Sequence, residues 1–218
     1  MPNFVDVFWS FRSPYSRLIT HDLLKLREDY DVDVKVRPVL PIAIRAPESL
    51  FDSDDRRAPR YIAMDSQRRG EMLGRRVVWP RPDPVVQDFR TMKVSYQQPY
   101  IYRLTKLGVE AARRGRGLEF IDRVSDLIFG GTADWDQGDK LSKATTAAGL
   151  VLADLDSAIE DSDHIEEINS NQEALEASGH WGVPTVVFRD EPFFGQDRID
   201  TLRWRLDLAS LAKSSGTA

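Results

Sequence analysis

The chain of 218 residues contains no cysteine. That one absence removes disulfides, thiolate metal ligands and a cysteine nucleophile together. Histidine is nearly absent too: His21, His164 and His180 stand far apart, with no metal-ligand spacing, so no metal site is expected. There is no glycine-rich phosphate loop, serine-hydrolase elbow or zinc motif. No apolar run approaches the roughly 18 residues of a membrane span. The opening residues, Met1 to Asp6, have neither a basic stretch nor an apolar core, and do not read as a signal peptide. A cytoplasmic protein without a membrane partner is expected. The net charge of −5 argues against a nucleic-acid partner. Lysine and arginine are missing from Ala144 to Phe188, while acids recur from Asp154 to Glu176. Seven arginines crowd residues 56–76. The pattern predicts two oppositely charged surfaces, either as solvated helix faces or, for the arginines, as an attractor of carboxylate ligands.

What is present has a clear order. Residues 3–9 read as a strand and 14–29 as a helix with Leu18, Leu23, Leu24 and Leu26 inward. Asp31 to Arg37 alternates with valine at every second position, the mark of a half-buried strand. Strand, helix, strand makes a βαβ unit. From about 42 to 178 the periodicity is helical, with candidates at 56–73, 86–98, 100–114, 118–129, 137–148, 151–161 and 165–177. Three prolines between Pro80 and Pro84 exclude helix there and predict a rigid extended loop carrying Trp79. Strand character returns from Trp181 to Phe188, a turn follows, and Pro192 to Phe194 forms a short second strand. A last helix is predicted from about Asp197 to Leu208, capped by that acid. The implied architecture is α/β: a thioredoxin-like four-stranded mixed sheet from residues 1–41 and 179–218, with an all-helical insertion at 42–178.

The junction Phe8-Trp9-Ser10-Phe11-Arg12-Ser13-Pro14-Tyr15-Ser16 is the chemical focus. Serine is a preferred N-cap, and proline suits the first helical position because its missing N–H would be unpaired there. The helix end beyond Ser13 presents open N–H groups and the positive end of the helix dipole, a setting that favours an anion or a thiolate. Ser13 reads equally well as a plain cap. Arg12 beside it reads as a carboxylate ligand or as a solvated cation. Tyr15, Tyr61, Trp79, Tyr96 and Trp181 are candidates for an aromatic pocket, with core packing as the alternative.

Ser13 to Ser16, Arg37-Pro38-Val39-Leu40, Trp79-Pro80, Gly182-Val183-Pro184-Thr185 and Phe194-Gly195-Gln196-Asp197-Arg198 together resemble the 2-hydroxychromene-2-carboxylate isomerase family. That family is related to kappa-class glutathione transferases and, more distantly, to bacterial dithiol oxidases built on a thioredoxin fold with a helical insertion. The resemblance runs through nearly the whole chain. In the redox relatives Cys-x-x-Cys occupies the place of Ser13-Pro14-Tyr15-Ser16, so here a ligand has to bring the sulfur, and the resemblance implies glutathione. It implies that Ser13 is catalytic and donates to the glutathione sulfur. It also implies a cis Val183–Pro184 bond, with Val183 pairing to the cysteinyl backbone of glutathione. Asp197 would pair with the γ-glutamyl ammonium, Arg198 and nearby N–H groups with its carboxylate, and Gln196 and Ser49 would complete the cofactor site. Arg12, Tyr15 and Trp79 are the expected substrate contacts. The sequence departs from the family pattern at Ser10, usually acidic, and at Arg12, usually apolar. Gln196 replaces the serine of kappa transferases and favours the isomerase branch. The resemblance implies a cytoplasmic homodimer acting on a carboxylate-bearing intermediate of aromatic degradation. A kappa-like transferase and a non-catalytic thioredoxin-fold binding module are the alternatives.

Overall fold

The computed structural model describes residues 3–47, 54–160 and 163–213. Strand β1 (Phe4–Trp9) lies inside the sheet. Its side chains alternate between faces, as the period of two requires. Val5, Val7 and Trp9 enter the main core, whereas Phe8 enters a smaller cluster with Val39 and Leu175. Helix α1 (Pro14–Asp29) follows, and then β2 (Asp33–Pro38), which pairs parallel to β1 from Phe4↔Asp33 to Trp9↔Pro38. On its other edge β1 pairs antiparallel with β3 (Thr185–Phe188), and β3 pairs with β4 (Glu191–Phe194). The order β2-β1-β3-β4 makes one mixed four-stranded sheet. The sequence strand from Trp181 shortens to four residues, because Pro184 cannot donate to the ladder and Gly182 lies in a turn.

Between β2 and β3 stand α2 (Ile42–Arg45), α3 (Arg57–Met72), α4 (Ile101–Arg113), α5 (Gly117–Phe129), α6 (Lys140–Ala147), α7 (Leu152–Glu160) and α8 (His164–Ala177); α9 (Ile199–Leu208) closes the chain. Side chains of α4 and α5 share one continuous core with Val5, Val7 and Trp9 of the sheet. The helical segment therefore has no separate interior of its own. Leu18, Leu23 and Leu26 of α1 are buried as expected, while Leu24 is only partly so.

Residues 86–98 are not the expected helix. They form a looped hairpin with a Gln87↔Val94 bridge. The Asp88 carboxylate accepts from the N–H groups of Arg90 and Thr91, which offers the backbone a turn in place of a helix. Met92 then takes a positive φ of 59°. Helix α9 also begins later than expected, and the Asp197 side chain makes no capping bond; a backbone turn from Arg198 N–H to Gly195 C=O precedes it.

Part of the charge segregation in the sequence is answered by ion pairs between helices. Acids of α7 and α8 face arginines of α4: Arg103 pairs with Asp156 at 2.7 Å, and Arg113 pairs with Asp163 at 2.9 Å and Glu167 at 2.7 Å. The arginine cluster disperses as well. Arg75 is buried, 2.7 Å from Asp126 and 3.4 Å from Asp122, and also donates to the Arg17 C=O and the Thr20 hydroxyl. Arg17 joins Asp126 at 3.1 Å. This network ties α1 and α5 to the turn after α3. His21 reaches Asp122 at 3.5 Å, so an imidazole and two carboxylates converge here. The arginines already supply the cations that such a cluster would attract. Replacing Arg75 by Met leaves Asp122 buried without its main counter-charge, and should cost about 3–5 kcal/mol. Urea unfolding measures it, and Asp122→Asn in the same chain should recover part of the loss.

Candidate active site

Four contacts fix the junction after β1. The Ser13 N–H donates to the Ser10 C=O at 3.2 Å. The Trp9 indole, fully buried, donates to the Ser16 C=O at 2.7 Å. Phe11 meets Trp9 edge-on at 4.6 Å and Phe120 at 6.1 Å. Gly108 of α4 leaves room for that ring, since a Cβ there would lie 2.9 Å from Phe11 Cε2. So Ser13 reaches its place because apolar residues on either side have nowhere else to go.

Ser13 caps α1. Its Oγ accepts from the Ser16 N–H at 3.1 Å and donates to the Val183 C=O at 3.3 Å. The Val183–Pro184 bond is cis. The Val183 N–H makes no hydrogen bond among the described residues. The first and last parts of the chain thus meet at one point: a hydroxyl at the positive end of a four-turn helix, beside an open backbone donor.

This point opens on a cavity of about 780 Å³. Its walls are mainly apolar and aromatic, with Tyr61, Trp79, Phe89, Trp181 and Phe194 among them. Trp79 meets Phe89 and Phe129 edge-on, and its indole N–H donates to Asp83 at 3.1 Å. Phe194 stacks on His180 at 3.9 Å, and His180 on Trp181. The His180 Nδ1 accepts from the Gly182 N–H at 2.8 Å, and burial lowers its pKa. Gly182 must be glycine for that ring to lie so close, since a Cβ would meet Phe194 Cε2 at 2.5 Å. Tyr96, in contrast, is fully exposed and outside the cavity.

Arg12 is neither solvated nor open. It is 5% exposed, and its Nε and Nη2 both bind Asp83, at 2.9 and 3.0 Å, while Nη2 also donates to Gln87 at 2.7 Å. It lines the cavity as one half of an ion pair. Tyr15 lines the cavity through its ring, but its hydroxyl donates to Asp65 of α3 at 2.7 Å. Gln196 is buried and accepts from Arg69 at 2.9 Å. Asp197 and Arg198 are exposed, pair with each other at 3.5 Å, and do not line the cavity. Ser49 lies outside the described residues. Ser13, Arg12, Tyr15, Trp79 and Val183 are therefore gathered around one space, and Gln196, Asp197 and Arg198 stand apart from it. Asp83, Asp65 and Phe89 belong to the site although nothing in the sequence singled them out. The signal for Asp83 was its place four residues after Trp79, inside a loop that prolines hold extended.

A four-stranded mixed sheet whose first helix begins opposite a cis-proline, with helices inserted between β2 and β3, defines a thioredoxin-fold protein of the inserted type. Residues 4–207 match the DSBA-like thioredoxin domain family, and the chain belongs to it. Among solved structures it is similar to 2-hydroxychromene-2-carboxylate isomerase, with a TM-score of 0.71 at 18% identity, covering 95% of this chain and 96% of that one. It is also similar to a probable DsbA oxidoreductase from Streptomyces coelicolor, with a TM-score of 0.68 at 16% identity over 95% and 90% of the two chains. A cytosolic disulfide reductase, DsbM, from Pseudomonas aeruginosa gives 0.59 at 14% identity over 94% and 99%. No curated protein matches the chain in sequence. Among the described residues no helix is long and apolar enough to cross a membrane.

Burial, then the hydrogen bond and charge of Asp65, pushes the Tyr15 phenol far above its usual value of 10. Burial alone would raise Asp65, but hydrogen bonds from Tyr15 and Arg68 outweigh it and the net shift is downward. A raised phenol pKa contributes stability that is complete below the unfolded value and fades as pH rises through the folded one. Tyr15→Phe should therefore cost about 1 kcal/mol at neutral pH. The gap to the parent protein should close above pH 10, where the unfolded phenol ionises. Urea unfolding across that range tests both statements.

Proposed function

We propose that the chain is a glutathione-dependent cis–trans isomerase acting on 2-hydroxychromene-2-carboxylate or a related carboxylate from aromatic degradation. One observation carries this reading: a serine hydroxyl at the α1 N-terminus, 3.3 Å from the carbonyl of Val183, in a chain without cysteine. The protein has no sulfur with which to exchange disulfides, although the position suits a thiolate. The donor set fits a thiol ligand. Ser13 can turn its hydroxyl from Val183 to a sulfur anion, the dipole of α1 adds to the attraction, and the free Val183 N–H can take one backbone carbonyl of an extended peptide. When bound, glutathione would supply a thiolate that adds to and leaves a conjugated carbon, freeing the neighbouring bond to rotate.

The chain's own part is orientation and electrostatics. The apolar walls exclude water and so strengthen the hydrogen bond from Ser13. Trp79, fixed by Asp83, and the stacked Trp181 and Phe194 offer faces to a flat substrate. Likeness to the isomerase structure in fold supports the reading. Asp197 and Arg198 lie outside the cavity lining and are exposed, paired with each other at 3.5 Å, and a role toward the γ-glutamyl end of glutathione is part of the same proposal. A cytoplasmic homodimer belongs to the same proposal, and light scattering on the purified protein tests the dimer.

Titration of the protein with glutathione should produce thiolate absorbance near about 240 nm at neutral pH. Ser13→Ala should remove most of it, together with about 1 kcal/mol of helix capping. Ser13→Asp keeps a cap acceptor but offers the sulfur a negative charge. It should stay as stable as the parent protein and still lose the signal. Turnover that leaves glutathione unconsumed identifies the isomerase, and consumption identifies a transferase. Full thiolate absorbance in both variants would remove Ser13 from the mechanism.

A further inference from the structure

Four arginines line the cavity, Arg12, Arg45, Arg56 and Arg60, and no aspartate, glutamate or lysine joins them among the described residues. Their situations differ. Arg12 is neutralised by Asp83. Arg56 donates to the carbonyls of Phe89 and Arg90. Arg60 is exposed on α3, and its side chain makes no hydrogen bond or ion pair among the described residues. Arg45, on the short α2, is partly buried. Its Nε donates to the Leu40 C=O at 2.7 Å and its Nη2 to the Trp181 C=O at 2.9 Å, and no carboxylate ion-pairs with it among the described residues.

We infer that Arg45 is the residue that selects an anionic head group in this cavity, with Arg60 as a weaker second cation at its edge. The occupant is a flat apolar molecule bearing one carboxylate. Arg12 does not serve, since Asp83 already cancels its charge. Arg45 is partly buried, is held by two carbonyl dipoles, and forms no ion pair with a carboxylate among the described residues. Burial accordingly disfavours its charged form, though Glu176 works the other way from a distance. A carboxylate entering beside it restores a counter-ion at low local dielectric, where a charge acts over a longer range than at the surface. Arg60 is exposed, and solvent and salt screen it. The bond from its Nη2 to the Trp181 C=O places the guanidinium beside the aromatic wall, within reach of a head group on a ring that rests there.

The inference rests on reading this cavity as the substrate site, and its test needs no glutathione, so it stands or falls apart from Ser13. Naphthalene-2-carboxylate and naphthalene-2-carboxamide have nearly the same shape and differ in charge. Calorimetry on the full chain should show the carboxylate binding about tenfold or more tightly than the amide. Arg45→Gln should abolish that preference while leaving amide affinity within about twofold, and Arg45→Lys should restore part of it. Arg60→Gln should lower carboxylate affinity only at low salt. Equal binding of the two probes to the parent protein, or binding of neither, overturns the inference. So does a preference that survives in Arg45→Gln. Loss of the amide together with the carboxylate in that variant would show that Arg45 only shapes the wall, and would overturn it as well.

Discussion

The buried pair between Arg12 and Asp83 joins the two halves of the site. Arg12 belongs to the turn between β1 and α1, and Asp83 to the proline-rich loop 71 residues later. Both side chains are largely withdrawn from water. Such a pair adds little net stability, since desolvation offsets most of the attraction, but removing either partner leaves an expensive unanswered charge. The interaction therefore acts as a specifier of geometry. The same Asp83 carboxylate accepts from the Trp79 indole and from the Val85 N–H. One acidic group thereby sets the turn that carries Ser13, the aromatic wall opposite, and the start of the hairpin beyond.

The parts of the fold legible in the sequence were those with a strong local cause. Valine alternation from Asp31 to Arg37 marked β2, and Ser13 followed by Pro14 marked the start of α1 to the residue. The Pro80–Pro84 run reads as loop because proline leaves no alternative. The segment 86–98 failed for the opposite reason. Its apolar spacing suits a helix, but the Asp88 side chain satisfies two backbone donors locally and the chain turns back. Asp197 failed as a cap because capping depends on where the turn after Gly195 places the side chain, and residue type does not reveal that.

Of the candidate site, the aromatic wall was partly legible, since Tyr15, Tyr61, Trp79 and Trp181 do line the cavity, whereas the pairing of its charges was not. Ser13 and Val183 could be brought together only through likeness to a known family, since 170 residues separate them. Charges were the hardest to place. Arginine and aspartate look alike in the sequence whether they pair across the core, as Arg75 and Asp126 do, or line a cavity, as Arg45 does. The segregation of charge along the chain suggested two surfaces, and in three dimensions it became the seam between α4 and the pair α7 and α8. Sequence distance is a poor guide to electrostatic distance once helices lie side by side.

The lack of cysteine in this chain has a practical corollary. Iodoacetamide and maleimides find no sulfhydryl on the polypeptide to modify, and mild oxidants can draw no disulfide across it. The polypeptide itself carries no record of the redox state of its surroundings in a thiol.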